Sequence, residues 1–193
     1  MADRVAVVTG ASSGIGEATA KALSGEGYAV ALAARREDRI TQLADEISSA
    51  GGTALAVPTD IGDPASAEAL IKTAKSELGS VDVLLNNAGV MLLGPMLDAD
   101  LEHWQRMVNV NLLGLMYCTH AALPIMKEQG HGHVVNVSSV AGRVARMGSG
   151  VYNATKFGVG AFSESLRQEG VDYGIRVTII EPGYVDTELQ GHN

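Results

Sequence analysis

Cysteine and basic residues are scarce in this sequence. Cys118 is the single cysteine among 193 residues, so no disulfide can form within the chain, and such low usage is typical of a reducing compartment. Lys and Arg total 14 against 22 Asp and Glu, which gives a net charge of −8 at pH 7. No run of basic residues offsets this charge, so binding to nucleic acid through its phosphates is disfavoured.

Targeting and metal-binding patterns are also missing. From Met1 the chain passes directly into a short strand-like run, with no signal peptide and no apolar stretch long enough to cross a bilayer. The histidines His120, His131 and His133 lack the spacing with cysteines or acids that metal sites use. We therefore expect a soluble, cytoplasmic protein that binds neither a membrane nor a catalytic metal.

The composition is that of an ordinary globular domain. Hydrophobic residues make up 46% of the chain, with 23 Gly and 5 Pro. A chain of this length suits one domain with a full hydrophobic core. Because no repeat, linker or low-complexity segment interrupts it, we expect residues 1–193 to form a single domain.

Short apolar runs alternate with longer amphipathic segments. The runs are rich in Val, Ile, Leu and Ala with little polar alternation, which is typical of strands buried on both faces of a parallel sheet. The predicted strands are Val5–Thr9, Ala29–Ala34, Ala54–Pro58, Val81–Asn86, His133–Ser139 and Arg176–Glu181. The predicted helices are Gly14–Gly25, Glu37–Ala50, Pro64–Leu78, Leu101–Gln129 and Tyr152–Tyr173. The alternation predicts an α/β fold with a doubly wound parallel sheet flanked by helices.

A glycine-rich turn separates the first predicted strand from the first predicted helix. Its sequence is Thr-Gly-Ala-Ser-Ser-Gly-Ile-Gly, with the spacing Gly-x-x-x-Gly-x-Gly. Glycines let the backbone approach a pyrophosphate, and the helix N-terminus offers free N–H groups to it. The context therefore predicts a dinucleotide site, although a turn that merely connects two elements is the alternative. The predicted binding residues of the turn are Gly10, Ser12, Ser13, Gly14, Ile15 and Gly16.

The ends of the next two strands bear on the choice of cofactor. An acid after the second strand would bind the adenosine ribose of NAD, but Ala34 is followed by Arg35 and Arg36. Two arginines can pair with the 2′-phosphate of NADP; alternatively they are solvated charges at a helix start. After the third strand, Asp60, beside Ile61, could accept a hydrogen bond from the adenine amino group or serve as an ordinary cap or turn residue.

Three polar residues suggest proton transfer. Tyr152 and Lys156 stand four residues apart, on one face of a predicted helix. A lysine ammonium beside a tyrosine stabilises the phenolate and lowers its pKa from about 10. Ser139 ends a predicted strand, at the sheet edge where doubly wound folds bind ligands. Taken singly, these could be a helix-surface pair and a turn-capping hydroxyl.

Together these motifs resemble the short-chain dehydrogenase/reductase family, in the branch with the Thr-Gly-x-x-x-Gly-x-Gly turn. The similarity runs from Thr9 to Thr187. Within the family, the chain looks most like bacterial NADP-dependent 3-hydroxy acid dehydrogenases and clavulanate-type aldehyde reductases. The resemblance implies a Rossmann-type fold in which one dinucleotide-binding domain, residues 1–193, also carries the catalytic site.

The resemblance assigns roles to further residues. The motif Asn86-Asn87-Ala88-Gly89 supports the sheet and borders the cofactor in the family, and Asn111 matches the asparagine that holds a water in its proton relay. The implied catalytic residues are Asn111, Ser139, Tyr152 and Lys156. The implied cofactor contacts include Asn87, Ala88, Gly89, Tyr152, Lys156, Pro182, Gly183, Val185 and Thr187. Ala34 occupies the slot that is acidic in NAD-preferring members, so the implied cofactor is NADP(H).

In one respect the chain departs from the family. Members usually continue for several dozen residues past the Pro-Gly segment, and that region supplies a substrate-covering loop, a last strand and oligomer contacts. This sequence stops at Asn193. We therefore expect the C-terminal part of the fold to be missing, either because the chain is a fragment or because it is unusually short.

These observations predict an NADP(H)-dependent oxidoreductase that interconverts a carbonyl and an alcohol, with Tyr152 as general acid or base. A non-catalytic NADP-binding regulatory protein on the same fold is the alternative, as is a catalytically crippled truncation that serves as a folding or interaction unit. The helices 101–129 and 152–173 carry apolar residues around much of their circumference, so we expect a homodimer or homotetramer through them. Candidate pocket residues are Met91, Leu92, Leu93, Val140, Met147 and Tyr184, with Arg143 or Arg146 for a substrate carboxylate.

Overall fold

A six-stranded parallel sheet forms the centre of the molecule in the computed structural model, which describes residues 4–189. The strands are β1 Val5–Thr9, β2 Ala29–Ala34, β3 Thr53–Pro58, β4 Val83–Asn86, β5 Gly132–Val137 and β6 Ile175–Ile180. The helices are α1 Gly14–Gly25, α2 Glu37–Ser49, α3 Pro64–Leu78, α4 Leu101–Val108, α5 Leu115–Gln129 and α6 Gly150–Gly170. The predicted α/β class is confirmed.

The strand order places a topological switch between β1 and β4. The order across the sheet is β3-β2-β1-β4-β5-β6, and all five pairings are parallel. From β1 the chain winds outward to β2 and β3, then returns to the other side of β1 and winds outward again. Ligands of doubly wound sheets bind at the carboxyl ends of the strands beside such a switch.

Helices cover both faces of the sheet and bury two apolar cores. On one face Ala20 of α1 and Ile40, Leu43 and Ile47 of α2 pack against β1 and β2. On the other face residues of α3, α5 and α6 pack together, among them Leu70, Cys118, Met126 and Leu166. Burial on both faces is complete for β1 and β2 but not for β3 and β6, because those two strands form the edges.

Several element boundaries differ from the predicted ones. Strand β5 ends at Val137 rather than Ser139, since Ser139 turns out of the strand and caps a short 3₁₀ turn, Val140–Gly142. Helix α6 begins at Gly150 instead of Tyr152. Tyr152 and Lys156 still lie within the first turns of the helix, beside the carboxyl ends of the strands.

The helix predicted over Leu101–Gln129 is continuous but not uniform. A π-helical segment, Asn109–Gly114, separates α4 from α5, and such segments are frequent at functional sites. A Cβ on Gly114 would lie 2.8 Å from the Ile61 carbonyl oxygen. The helix therefore approaches the loop after β3 more closely than any side chain at this position allows.

The same helical run corrects one expectation from the sequence. The run has 29 residues, and the mean hydropathy of its most apolar window is 1.2. By length and composition alone, such a helix could cross a membrane. We expected no such run. Within the described part of the chain it is the one helix that meets this test, and core helices of soluble proteins meet it as well. Of that window 33% is buried within the chain, and Val110, Tyr117, Leu123 and Ile125 are partly buried against the core.

Candidate active site

A cavity of about 660 Å³ opens at the carboxyl edge of the sheet. It extends from the end of β2, past the glycine-rich turn, to the residues that follow β5 and β6. The predicted residues that line it are Gly10, Ser12, Ser13, Gly14, Ile15, Arg35, Arg36, Asp60, Ile61, Asn87, Ala88, Gly89, Ser139, Tyr152, Lys156, Pro182, Gly183, Val185 and Thr187. Gly16 and Asn111 are the two predicted site residues that do not line it.

The glycine-rich turn is packed too tightly for side chains. Gly10 and Gly14 have φ angles of 66° and 58°, in the left-handed region that favours glycine. A Cβ on Gly10 would lie 2.8 Å from the Ala88 Cα, and one on Gly16 would lie 2.6 Å from the Asn87 Nδ2. Gly16 is thus required for packing α1 against the turn, and its contact with the cofactor stays a prediction.

Asn87 ties the loop after β4 to this turn. Its Nδ2 donates to the carbonyl oxygens of Thr9 and Gly10, at 3.1 and 3.3 Å. In return the Thr9 hydroxyl accepts hydrogen bonds from the backbone N–H groups of Asn87 and Ala88. The two cavity walls on either side of the switch point are therefore held at a fixed separation.

Arg36 lies across the mouth of the glycine-rich turn. Its Nη2 donates to the hydroxyls of Ser12 and Ser13, both at 2.9 Å, and its Nη1 donates to Glu188 at 2.7 Å. Arg35 also lines the cavity. Ala34 provides no acid at the end of β2. The hydrogen-bond donors expected there are present and belong mainly to Arg36.

Asp60 has the turn role that the sequence left open, and its contact with adenine stays a prediction. Its Oδ1 accepts a hydrogen bond from the Gly62 N–H at 3.0 Å, which makes it a turn residue, and it also lines the cavity. The neighbouring Ile61 is buried beneath it. The N-cap of α3 is Asp63, whose carboxylate accepts from the N–H groups of Ala65 and Ser66.

Ser139 presents its hydroxyl to the cavity at the end of β5. Its Oγ accepts a hydrogen bond from the Ala141 N–H at 3.1 Å, which caps the 3₁₀ turn. The hydroxyl hydrogen remains available for donation, and a hydrogen bond from Ser139 acts to lower the pKa of Tyr152. The capping role that the sequence left open and the predicted role at the site are therefore compatible.

Tyr152 and Lys156 are both buried, and burial dominates their titration. Burial raises the pKa of Tyr152, opposed by its hydrogen bond with Ser139. It lowers the pKa of Lys156 to about 8. The Lys156 Nζ lies 5.8 Å from the centroid of the Tyr152 ring and donates to the Val137 carbonyl oxygen at 2.9 Å. The lowered tyrosine pKa that we predicted is therefore wrong, because desolvation outweighs the hydrogen bond with Ser139.

Asn111 lies in the π-helical segment, with its side chain directed at the backbone of Val90. Its Oδ1 accepts from the Val90 N–H at 2.7 Å, and its Nδ2 donates to the Val90 carbonyl at 2.8 Å and to Thr155 Oγ1 at 3.3 Å. The side chain thus joins the loop after β4 to α6. Both amide hydrogens are engaged by protein atoms, and the water relay stays a prediction.

The far end of the cavity has mostly apolar walls. Of the candidate pocket residues, Met91, Leu93, Val140 and Tyr184 line the cavity, whereas Leu92 and Met147 do not. The two candidate arginines also separate. Arg143 donates to Glu181 at 2.7 Å, while Arg146 lines the cavity. Arg146 is therefore the better placed of the two for a substrate anion.

Two polar residues at the site were missed by sequence reasoning. Asn153, next to Tyr152, donates to the carbonyls of Ala141 and Val144 and accepts from the Arg146 N–H and the Ser149 hydroxyl. It fixes the loop that carries one cavity wall. Glu188 reaches Arg36 from the far end of the chain. No local pattern marks either residue, because each acts through contacts that depend on the fold.

Cys118 and His131 do not line this cavity. Over residues 4–189 there is no cluster of three or more His, Cys, Asp or Glu side chains that could hold a metal ion. Burial raises the pKa of the Cys118 thiol to about 12, so it stays protonated within the core. His131 pairs with Asp82, its Nε2 lying 2.7 Å from Oδ1, at the opposite edge of the sheet.

The chain matches the short chain dehydrogenase family over residues 4–193. It is 44% identical over 191 residues to the glycine betaine reductase ATRR of Emericella nidulans, covering 99% of this chain but 15% of that protein. It is also 44% identical over 193 residues to an uncharacterized oxidoreductase of Staphylococcus saprophyticus, covering 98% of this chain and 77% of the relative. The chain thus spans a small part of the first relative and most of the second.

Solved structures share the fold at moderate sequence identity. An alcohol dehydrogenase from the archaeon Thermococcus sibiricus, complexed with 5-hydroxy-NADP, is 34% identical with a TM-score of 0.93, covering 98% of this chain and 80% of that one. A short chain dehydrogenase/reductase from Burkholderia phymatum, in complex with NAD, is 31% identical with a TM-score of 0.95, covering 98% and 68%. Similar structures therefore hold both nicotinamide cofactors.

Proposed function

The chain belongs to the short-chain dehydrogenase/reductase family, and we propose that it is an NADP(H)-dependent oxidoreductase that interconverts a ketone or aldehyde and an alcohol. One observation carries this proposal: Ser139, Tyr152 and Lys156 meet in a single cavity that also extends to Arg36. A proton-transfer group and an anion-binding group at opposite ends of one cavity suit a reaction that needs both a proton and a phosphorylated coenzyme.

The described residues fit the coenzyme on structural grounds. The glycine-rich turn has no room for side chains at Gly10, which leaves backbone N–H groups and the N-terminus of α1 exposed to a pyrophosphate. Arg36, Ser12 and Ser13 form a cationic, hydroxyl-bearing site at the end of β2, where a 2′-phosphate would be held. When bound, the nicotinamide supplies the hydride; the protein supplies orientation and charge.

Tyr152 is the proposed proton donor to the carbonyl oxygen in the reducing direction. Burial keeps its pKa above the ordinary value, so the phenol carries its proton at neutral pH and can act as a general acid. The Ser139 hydroxyl, already oriented by the Ala141 N–H, would donate a hydrogen bond to the same substrate oxygen and stabilise its developing negative charge.

Lys156 would stabilise the phenolate that forms after this transfer. Its ammonium is fixed by the Val137 carbonyl within 5.8 Å of the Tyr152 ring centroid. With a pKa of about 8, the group is mostly charged at pH 7 and loses its charge as the pH rises through that value. We therefore expect reduction to be supported below pH 8 and to weaken above it.

The substrate is proposed to be a small carbonyl compound or alcohol with apolar groups. Met91, Leu93 and Val140 supply apolar walls beside the catalytic residues, and Arg146 offers a positive charge. We further propose that the single domain works in the cytoplasm as a homodimer or homotetramer through helices 101–129 and 152–173. The exposed Phe157 on the second helix supports the oligomer.

The first experiment is a fluorescence titration of the purified protein with NADPH and NADH, followed by a panel of carbonyl substrates. We expect NADPH to bind more tightly than NADH and to be consumed with some member of the panel. Tyr152→Phe should keep NADPH binding but lose activity by about 10²- to 10⁴-fold. Tyr173→Phe, which alters an exposed tyrosine next to Lys127, is the matched control.

Each outcome distinguishes the candidate functions. A Tyr152→Phe protein that turns over at the parental rate would contradict the mechanism. Nucleotide binding without turnover of any carbonyl or alcohol would instead favour a non-catalytic NADP-binding regulatory protein. Failure to bind either nucleotide would overturn the coenzyme assignment itself.

A further inference from the structure

A carboxylate of the chain itself occupies the cationic site at the end of β2. The Arg36 Nη1 donates to one oxygen of Glu188 at 2.7 Å, and the Arg39 Nη1 donates to the other at 3.1 Å. Both oxygens of the carboxylate are therefore engaged by guanidinium groups. Glu188 lines the same cavity as the proposed coenzyme-binding residues.

The groups around this carboxylate form a donor set suited to phosphate. Besides the two guanidinium groups, Arg36 holds the hydroxyls of Ser12 and Ser13 at 2.9 Å. We call Ser12, Ser13, Arg36 and Arg39 the anion seat. Planar guanidinium forks with nearby hydroxyls recognise phosphate monoesters through several charge-assisted hydrogen bonds. Glu188 fills this seat as a monoanion.

The carboxylate also holds a segment of chain over the glycine-rich turn. That segment, residues 182–189, begins where the Pro182 carbonyl accepts from the Val140 N–H at 3.0 Å. Near its other end Thr187 packs on Gly14, so closely that a Cβ there would lie 3.0 Å from the Thr187 Cγ2. The contact of Glu188 with the anion seat thus ties the end of this segment to the glycine-rich turn.

We propose that Glu188 is an internal competitor for the 2′-phosphate of NADP(H), and that a 2′-phosphorylated nucleotide displaces the Glu188 carboxylate from the anion seat, which removes one tether of residues 182–189. This inference rests on the proposed NADP(H)-dependent function. A phosphate monoester carries up to two negative charges and three acceptor oxygens, so it competes for the seat with more charge than one carboxylate does. A nucleotide without a 2′-phosphate leaves Glu188 in place.

The competition is modest because the ion pairs are accessible to solvent. The side chains of Arg36, Arg39 and Glu188 are 43%, 48% and 45% exposed. Water and salt weaken exposed ion pairs. Occupation of the anion seat by Glu188 therefore lowers the apparent affinity of the protein for the phosphate by only a small factor. Removing the competitor should therefore tighten binding about three- to tenfold at low ionic strength.

The test compares 2′,5′-ADP with 5′-AMP, which differ by the 2′-phosphate alone, by isothermal titration calorimetry. Glu188→Gln should bind 2′,5′-ADP about three- to tenfold more tightly than the parent, and bind 5′-AMP with unchanged affinity. The gain should shrink in 0.5 M salt. Asp186→Asn is the matched control, because it removes the same charge from the same segment at a residue outside the cavity lining.

A second measurement follows the segment itself. Hydrogen–deuterium exchange of residues 182–189 should accelerate when 2′,5′-ADP is added to the parent protein and stay unchanged with 5′-AMP. In Glu188→Gln the exchange should already be fast without nucleotide. This measurement requires no turnover, so it is independent of the substrate.

Three results would overturn the inference. The first is equal affinity of the parent and Glu188→Gln for 2′,5′-ADP; the second is equal tightening by Asp186→Asn, which would show a general charge effect. Both leave the proposed coenzyme binding intact. The third is failure of either nucleotide to bind any variant, which would overturn the proposed function and this inference with it.

Discussion

Lys156 keeps an ammonium group almost fully enclosed by protein. Desolvation penalises the charged form, which is why its pKa falls to about 8. The unfolded chain, with an ordinary pKa near 10.5, binds a proton that the folded protein gives up between these two values. Stability attributable to this residue therefore rises with pH across that window, and below pH 8 the fold carries the full cost of the buried charge.

Replacing this lysine with methionine should stabilise the protein. In Lys156→Met the buried charge disappears while the hydrogen bond to Val137 is lost, so we expect a net gain of about 1–2 kcal/mol in the free energy of unfolding at pH 7. The gain should shrink by more than half by pH 9.5. Urea denaturation at both pH values measures it, with the exposed Lys72→Met as control. A destabilised Lys156→Met protein at pH 7 would contradict this account.

At the residue scale, the sequence predicted those site residues that lie close together along the chain. The spacing of Tyr152 and Lys156 identified the pair whose proximity the structure shows. The direction of the tyrosine pKa was not predictable, because it depends on burial by elements distant in sequence. Glu188 was missed for a similar reason, since its partner Arg36 lies at the other end of the chain.

At the scale of single elements, the contact between α1 and the loop after β4 depends on what Gly16 lacks. Its missing side chain lets the helix start against the Gly10 carbonyl and the Asn87 amide. Any side chain there would push the helix away from the turn, and the N–H groups at its start would move with it. The absence of a side chain at Gly16 is thus required both for the packing of α1 and for the position of the N–H groups at the proposed coenzyme site.

Replacing either of two glycines of α1 with alanine should change the stability of the protein in opposite directions. Gly16→Ala should lose about 1–3 kcal/mol of stability and more than tenfold in NADPH affinity, because its Cβ would overlap with backbone and Asn87. Gly25→Ala should gain about 0.5–1 kcal/mol without a change in affinity, since no atom lies within 4 Å of its Cβ. Denaturation and NADPH titration check both. Similar losses in the two variants would show that helix propensity alone is involved.

Most elements followed from hydrophobic patterning, and the deviations have local causes. Predicted and observed bounds agree for β1, β2, α1 and α3. The end of β5 was predicted too late because Ser138 and Ser139 continue a β-like pattern, although Ser139 leaves the strand to cap a turn. The π-helical segment could not be predicted, since it reflects close packing and not any residue pattern.

At the scale of the whole molecule, the two long helices expose part of the apolar surface that the sequence indicated. Of the apolar residues on these helices, Leu115, Val159 and Leu166 are buried in the protomer. Phe157 is 46% exposed. The surface available to a second copy is therefore narrower than the sequence suggested and includes Phe157.

A charge at this position should separate the subunits. We expect the parent to sediment as a dimer or tetramer at micromolar concentration and Phe157→Glu to sediment as a smaller species, because a buried unpaired carboxylate opposes association. Val171→Glu, which changes an exposed residue beyond α6, should leave the assembly intact. A monomeric parent would refute the predicted oligomer.

The overall topology was the most predictable level, because alternation of strands and helices leaves few arrangements of a parallel sheet. The position of the site followed from it, since the glycine-rich turn, Asn87, Ser139 and the Pro-Gly segment all follow the carboxyl end of a strand. What the alternation could not indicate is which strands are covered on both faces. That depends on the strand order, which places β3 and β6 at the edges.

The π-helical segment Asn109–Gly114 constrains how this chain could change in length. Each residue added to or removed from a helix turns everything beyond it by about 100°. A residue removed from the regular helix α5 would therefore rotate Asn111 and α4 relative to the elements that pack on α5, and carry Asn111 away from Val90. Insertions and deletions should consequently be tolerated in the loop before α4 and selected against between Leu101 and Gln129.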